Sequence, residues 1–139
     1  MLRAMDWLQK RIPCTSEDVA TSIEVLCDTC HELNRQWWAK YDSPEAAEYD
    51  VEVKLARLGL VTSEVAEAME GARKGINDDH LTHRKAEEVE LADALIRIFD
   101  YAGRYELDIA GALIEKLAYN ANRADHKAGA RAADGGKKV

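Results

Sequence analysis

A chain of 139 residues is long enough for one domain with a real core and short for two. Its 47% hydrophobic and 32% charged residues describe an ordinary globular protein, and no apolar run approaches the roughly 18 residues that cross a bilayer. The net charge of −7 argues against a general nucleic-acid or anionic-membrane binder, because both need a positive surface field.

The opening "MLRAMDWLQKRIP" carries Asp6, Gln9, Lys10 and Arg11 where an export signal needs uninterrupted apolar residues, so the expected location is cytoplasmic. Leu2 to Leu8 is expected to form a preliminary turn or helix that Pro13 ends. Thr15 or Ser16 then caps the first long helix, with Glu17 and Asp18 in its opening turn, where carboxylates favour the helix dipole. Apolar residues at Ile23, Leu26, Cys27, Cys30, Leu33 and Trp37 recur at steps of three and four and predict one buried face. This stretch contains "CDTCH", the pattern that attaches c-type haem. Such attachment belongs to exporting compartments, and three cysteines (Cys14, Cys27, Cys30) are an odd number for a disulfide framework. The helical spacing makes Cys27 and Cys30 small buried hydrophobes, with His31 one residue past the stripe.

"YDSPEAAEYD" breaks the pattern and predicts a loop. A second helix is expected from about Val51 to Lys74, followed by Gly75 and the polar connection "NDDHLTH". His80 and His83 in that connection are too few ligands for zinc and are expected to be solvated. A third helix is expected from about Lys85 to Ala102, stopped by Gly103. Asp108 caps a fourth, which continues to about Lys127, and residues 128–139 form a small, glycine-rich, charged tail expected to be mobile. With no alternating strand pattern and no hairpin turn, the expected fold is all-α, with a single domain over residues 1–127.

Two acidic pairs stand out. "SEVAE" places Glu64 and Glu67 three residues apart on the second helix, and "ELAD" does the same for Glu90 and Asp93 on the third. Residues at i and i+3 share a helical face, so antiparallel packing can bring both pairs together. On the third helix Leu91, Leu95, Ile98 and Ala102 form an apolar centre, leaving a narrow stripe of Glu90, Asp93, Arg97 and Asp100. A helix this apolar is usually buried, and its polar stripe faces a solvent window or an internal wet site. Four carboxylates within a few ångströms repel, and divalent cations that prefer oxygen ligands, such as Mg²⁺ and Mn²⁺, remove the difficulty. On the fourth helix Lys116, Asn120, Arg123 and Lys127 make one continuous face suited to phosphate. The chemistry suggested is metal-assisted attack of water on a polyphosphate, with Glu64 or Glu67 accepting the proton.

Taken together, "LVTSEVAEAMEGARKG", "EVELADALIRIFDYAG" and "EKLAYNANRADHK" resemble the all-α nucleoside triphosphate pyrophosphatases, the MazG-like family, and most of all its short phage and prophage members. The resemblance runs from about Cys30 to the C-terminus. It implies an oligomeric four-helix-type bundle, a homodimer or homotetramer, with no membrane or nucleic-acid partner. It implies two or more Mg²⁺ or Mn²⁺ ions per site on Glu64, Glu67, Glu90 and Asp93, with Lys116, Asn120 and Arg123 on the substrate. The implied reaction is hydrolysis of a nucleoside triphosphate, a dNTP above all, between the α- and β-phosphates, in the host cytoplasm for a phage-encoded chain. Trp38, at the end of the first helix, is the expected base-stacking aromatic, while Trp37 lies on the apolar stripe. The sequence departs from many relatives after Arg123, where Ala124-Asp125 replaces a common aromatic or proline. A di-iron bundle would need Glu-x-x-His, which does not occur here. A helical module that docks a basic partner on its acidic stripe, or a pyrophosphatase for another nucleotide, are the alternatives.

Overall fold

In the computed structural model the described residues are 14–122, so the expectations for Leu2 to Leu8, for Arg123 and Lys127 and for the tail lie outside them. Within that range the chain is all-helical. Its α-helices are α1 (Ser16–Asn34), α2 (Asp50–Lys74), α3 (Ala86–Arg104) and α4 (Ile109–Asn122), with short 3₁₀ turns at Arg35–Trp37, Ala39–Tyr41 and Pro44–Tyr49. The stretch read as a loop is therefore largely coiled into such turns. None of the described helices is long and apolar enough to cross a membrane.

The described residues divide into two compact units, one of residues 14–24 and 108–122, the other Val25–Leu107. In the first, Thr15 is the cap of α1. Its Oγ1 accepts the Asp18 N–H at 3.0 Å while the Asp18 carboxylate accepts the Thr15 N–H at 2.7 Å, a reciprocal pair that satisfies two helix-end donors. Asp108 caps α4 as expected, its carboxylate accepting the Gly111 N–H at 2.7 Å. Ser16, Ile23 and Ala110 are buried.

In the second unit α2 and α3 pack side by side. Gly71 on α2 lies against the start of α3, where a Cβ would stand 2.9 Å from both Ala86 Cβ and the Glu87 nitrogen. Further along, Glu64 meets Arg97, so the pairing runs antiparallel. The turn between the helices is tight. Gly75, at φ 64°, ends α2 in the left-handed region, and Asn77 bridges to Lys85. Gly103 does not stop α3, which continues to Arg104. A Cβ at Gly103 would stand 2.6 Å from His31 Cβ and 2.9 Å from the Cys27 carbonyl oxygen. Glycine is there to let α1 and α3 approach, which a one-dimensional reading takes for a terminator.

The burial pattern corrects two helical-wheel readings. On α1, Cys27 and Cys30 are buried as expected, but Leu26 and Leu33 are exposed. The α-helix ends at Asn34 and tighter 3₁₀ geometry follows, so the 100° phase no longer holds at the two tryptophans. Trp38, expected to be open, is 1% exposed, whereas Trp37, expected in the core, is 60% exposed. On α3 three of the four residues of the expected apolar centre, Leu91, Leu95 and Ile98, are exposed, while the fourth, Ala102, is buried with Ala86, Ala94 and Asp100. The polar stripe is the side of α3 that meets its neighbours within this chain.

Trp38 anchors that interior. Its indole Nε1 donates to Asp100 Oδ1 at 2.8 Å, and His31 Nδ1 lies 3.0 Å from the same oxygen. Tyr105 meets the indole edge-on, with ring centroids 5.9 Å apart, and the Arg57 guanidinium lies 4.2 Å from its ring centroid. Arg104 approaches the same ring at 5.4 Å while pairing with Asp42 at 2.6 Å. Burial pushes the Tyr105 hydroxyl up to about 12, helped by its hydrogen bond to Asp50. A buried carboxylate such as Asp100 requires donors, and the indole supplies one that cannot be withdrawn by deprotonation.

Candidate metal centre

Three of the four acids expected to converge do so. Glu64 from α2 and Glu90 and Asp93 from α3 each offer a carboxylate oxygen, and these oxygens lie within 4.8 Å of one another. The i,i+3 spacing puts Glu90 and Asp93 on one face of α3, and antiparallel packing sets Glu64 opposite them. Glu67 is not a member of this group. It lies one turn further along α2 and lines the same cavity of about 640 Å³, together with Asp78, Asp79 and His80 from the connecting turn.

Glu64 is buried, 6% exposed, while Glu90 is half-buried and Asp93 is open. Burial pushes the Glu90 carboxyl above the ordinary glutamate range. The negative charge of Glu67 adds to this, as do a hydrogen bond with Glu64 and the charges of Glu64 and Asp93. Burial is the first of these causes, and the crowding of like charge adds to it. The Arg97 guanidinium offsets part of that charge. Its Nε donates to Glu64 Oε1 at 2.6 Å and its Nη2 approaches the same oxygen. Arg97 pairs across to α2 and not with the acids of its own stripe.

The connecting turn contributes more than its expected solvated polarity. Asp78 Oδ1 accepts the His80 N–H at 2.9 Å and also the Leu81 N–H, and these backbone bonds hold its carboxyl below the usual range. Asp78 N–H in turn donates to the Arg84 carbonyl at 3.0 Å, so this acid is fixed at the cavity edge. His80 and His83 are both exposed, as expected. The run "NDD", two residues past the α2 terminator Gly75, is the sequence signal for these extra acids, and it reads as ordinary turn composition without the fold.

A second cavity, of about 670 Å³, adjoins through Asp93 and Arg97, which line both. Its other walls include Asn34, Gln36, Trp37, Lys40, Arg57 and Asp100. The cavity therefore combines an exposed indole, two amides and three cationic side chains. Trp38 is behind this wall, held by Asp100, and does not present a face to it. The Arg57 guanidinium, already stacked on Trp38, also donates to the Trp37 carbonyl at 3.0 Å. Arg57 was not distinguished in the sequence, because a single arginine on a long polar helix carries no spacing signal.

On α4, Lys116 and Asn120 share a face, as i,i+4 spacing requires, and Arg123 lies outside the described residues. The Lys116 ammonium sits 4.9 Å from the Tyr119 ring centroid. Asn120 Oδ1 is buried without a hydrogen-bond partner among the described residues. The three cysteines form no disulfide. Burial, and then the nearby Asp100 charge, push the Cys30 thiol up, away from the thiolate that redox or metal chemistry requires. Comparison of the chain with protein-family models, with curated proteins and with solved structures returned no match, so the reading of this centre rests on its own geometry.

Proposed function

We propose that the protein is a metal-dependent nucleoside triphosphate pyrophosphohydrolase, releasing a nucleoside monophosphate and pyrophosphate. The observation that carries this reading is the meeting of Glu64, Glu90 and Asp93 from two helices on the wall of one cavity, which shares Asp93 and Arg97 with a second cavity lined also by Trp37, Lys40 and Arg57. The donor set fits a hard divalent cation: oxygen ligands only, partly desolvated, with an excess of negative charge. Glu64, Glu90 and Asp93 would hold Mg²⁺ or Mn²⁺. When bound, the metal supplies charge neutralisation of the phosphates and a lowered pKa for water.

The remaining steps belong to side chains. Glu67, in the cavity but outside the three-acid group, accepts the proton of the attacking water. Arg97, Lys40 and Arg57 stabilise charge on the phosphates and on the departing pyrophosphate. Trp37, rather than Trp38, stacks on the base, with Asn34 and Gln36 offering amides to its edge. The role of Lys116, Asn120 and Arg123 on phosphate is the one the family resemblance implies. The Asn120 oxygen, buried and without a partner among the described residues, supports a role for that residue, since buried polar atoms are normally paired.

The outward row Leu91, Leu95 and Ile98 supports assembly as a homodimer or homotetramer, because such a row is costly to leave in water. Sedimentation velocity is expected to give a mass of at least twice the 15.5 kDa of one chain. A monomer at micromolar concentration would remove this part of the proposal. The activity itself is tested with a panel of NTPs and dNTPs in Mg²⁺ or Mn²⁺, scored by chromatography. Monophosphate and pyrophosphate in equal amounts are expected. Diphosphate with orthophosphate, or no turnover of any member, would overturn it.

A further inference from the structure

The Arg97–Glu64 contact ties a phosphate-binding cation to a member of the cation group. Arg97 places two donors on one oxygen of Glu64, and Glu64 is both the most buried of the three acids and a member of the cation group. Arg97 is itself about one-third exposed and lines both cavities, so its side chain has somewhere else to go. A guanidinium and a divalent cation seek the same carboxylate. The metal has the advantage there, because it is doubly charged and engages Glu64, Glu90 and Asp93 together, whereas Arg97 engages Glu64 alone. Once displaced, the guanidinium is close to the phosphate-bearing part of a nucleotide in the adjoining cavity, and its planar fork matches phosphate oxygens.

We propose that Arg97 is a stored phosphate-binding cation, which occupies Glu64 in the metal-free protein and is released toward the nucleotide when a divalent ion loads. The inference rests on the metal centre described above and adds an order of events to it. Metal binding comes first and prepares the nucleotide site, and the ion pair keeps Glu64 satisfied until then. It also makes Arg97 an inhibitor of metal loading and a helper of substrate binding, two effects of opposite sign from one residue.

The test is Mn²⁺ binding without nucleotide, followed by the electron paramagnetic resonance of free Mn²⁺ at pH 8, in the full-length protein and in Arg97→Gln. If the paired state holds about nine molecules in ten, its removal tightens Mn²⁺ binding roughly tenfold, since apparent affinity scales with the competent fraction. The same variant raises the KM for nucleotide by more than it lowers kcat. In the unaltered protein, Mg²⁺ moves the Arg97 Nε–H resonance toward that of an unpaired arginine and speeds its exchange with water, a readout that needs no variant to fold. Equal or weaker Mn²⁺ binding by Arg97→Gln, or an unmoved Nε–H signal in protein that binds Mg²⁺, overturns the displacement and leaves the metal centre standing. No Mn²⁺ bound by either protein overturns both.

Discussion

Asp93→Asn is expected to lose Mn²⁺ binding and pyrophosphate release together, while Glu67→Gln retains most metal binding and loses about 10²–10⁴ in kcat. The contrast follows from the geometry. Asp93 is one of three acids whose oxygens lie within 4.8 Å of one another, and Glu67 lines the cavity without joining them. Asp93 is also exposed, so its replacement leaves no buried group unpaired and the variant should fold. Glu64→Gln is a poorer choice for this purpose, because it would also loosen Arg97 from a buried partner. Calorimetric Mn²⁺ titration beside steady-state kinetics checks the pair. Full activity in Asp93→Asn would dismiss the centre, and loss of metal by Glu67→Gln would make Glu67 a ligand and move the proton-accepting role elsewhere.

Trp38→Ala is expected to lower unfolding stability by about 3–5 kcal/mol, as for other fully buried aromatics. It removes the only fully buried large side chain among the described residues. It also takes away an Asp100 donor and the ring on which Arg57 lies. Trp38→Phe keeps most of the ring contacts but deletes the Nε1–H, and the Asp100 carboxylate then loses about 1–3 kcal/mol of compensation. Urea unfolding of the three proteins separates the packing part from the hydrogen-bond part. A loss below about 1 kcal/mol in Trp38→Ala would show that the site has no anchoring role.

That anchor matters to the centre through position. Asp100 lies two helical turns beyond Asp93 on the same stripe, so the bonds that fix Asp100 against Trp38 and His31 also fix how α3 is rotated. The rotation points Glu90, Asp93 and Arg97 at α2 and sends Leu91, Leu95 and Ile98 outward. Gly71 and Gly103 set how closely α3 can approach its neighbours. A shift of about one ångström in either place would be enough to pull the acids apart, which is why the supporting contacts belong with the site.

The sequence by itself determined what depends on nearest neighbours. Thr15 and Asp108 cap their helices through bonds spanning three residues, Gly75 turns left-handed at a helix end, and the Glu-x-x-Glu and Glu-x-x-Asp spacings put each acidic pair on a shared face. These effects need only the chain's own periodicity. The tertiary structure alone decided which face looks inward, and there the apolar count misled. Arg97 and Asp100 of the α3 stripe turn inward because partners for them exist within the chain: Glu64 for Arg97, Trp38 and His31 for Asp100. It also decided that Trp37 and Trp38 exchange their expected places, since a helix that tightens after Asn34 breaks the phase used to predict them. Those partners are dozens of residues away in the chain, beyond the reach of any periodicity read along α3 itself.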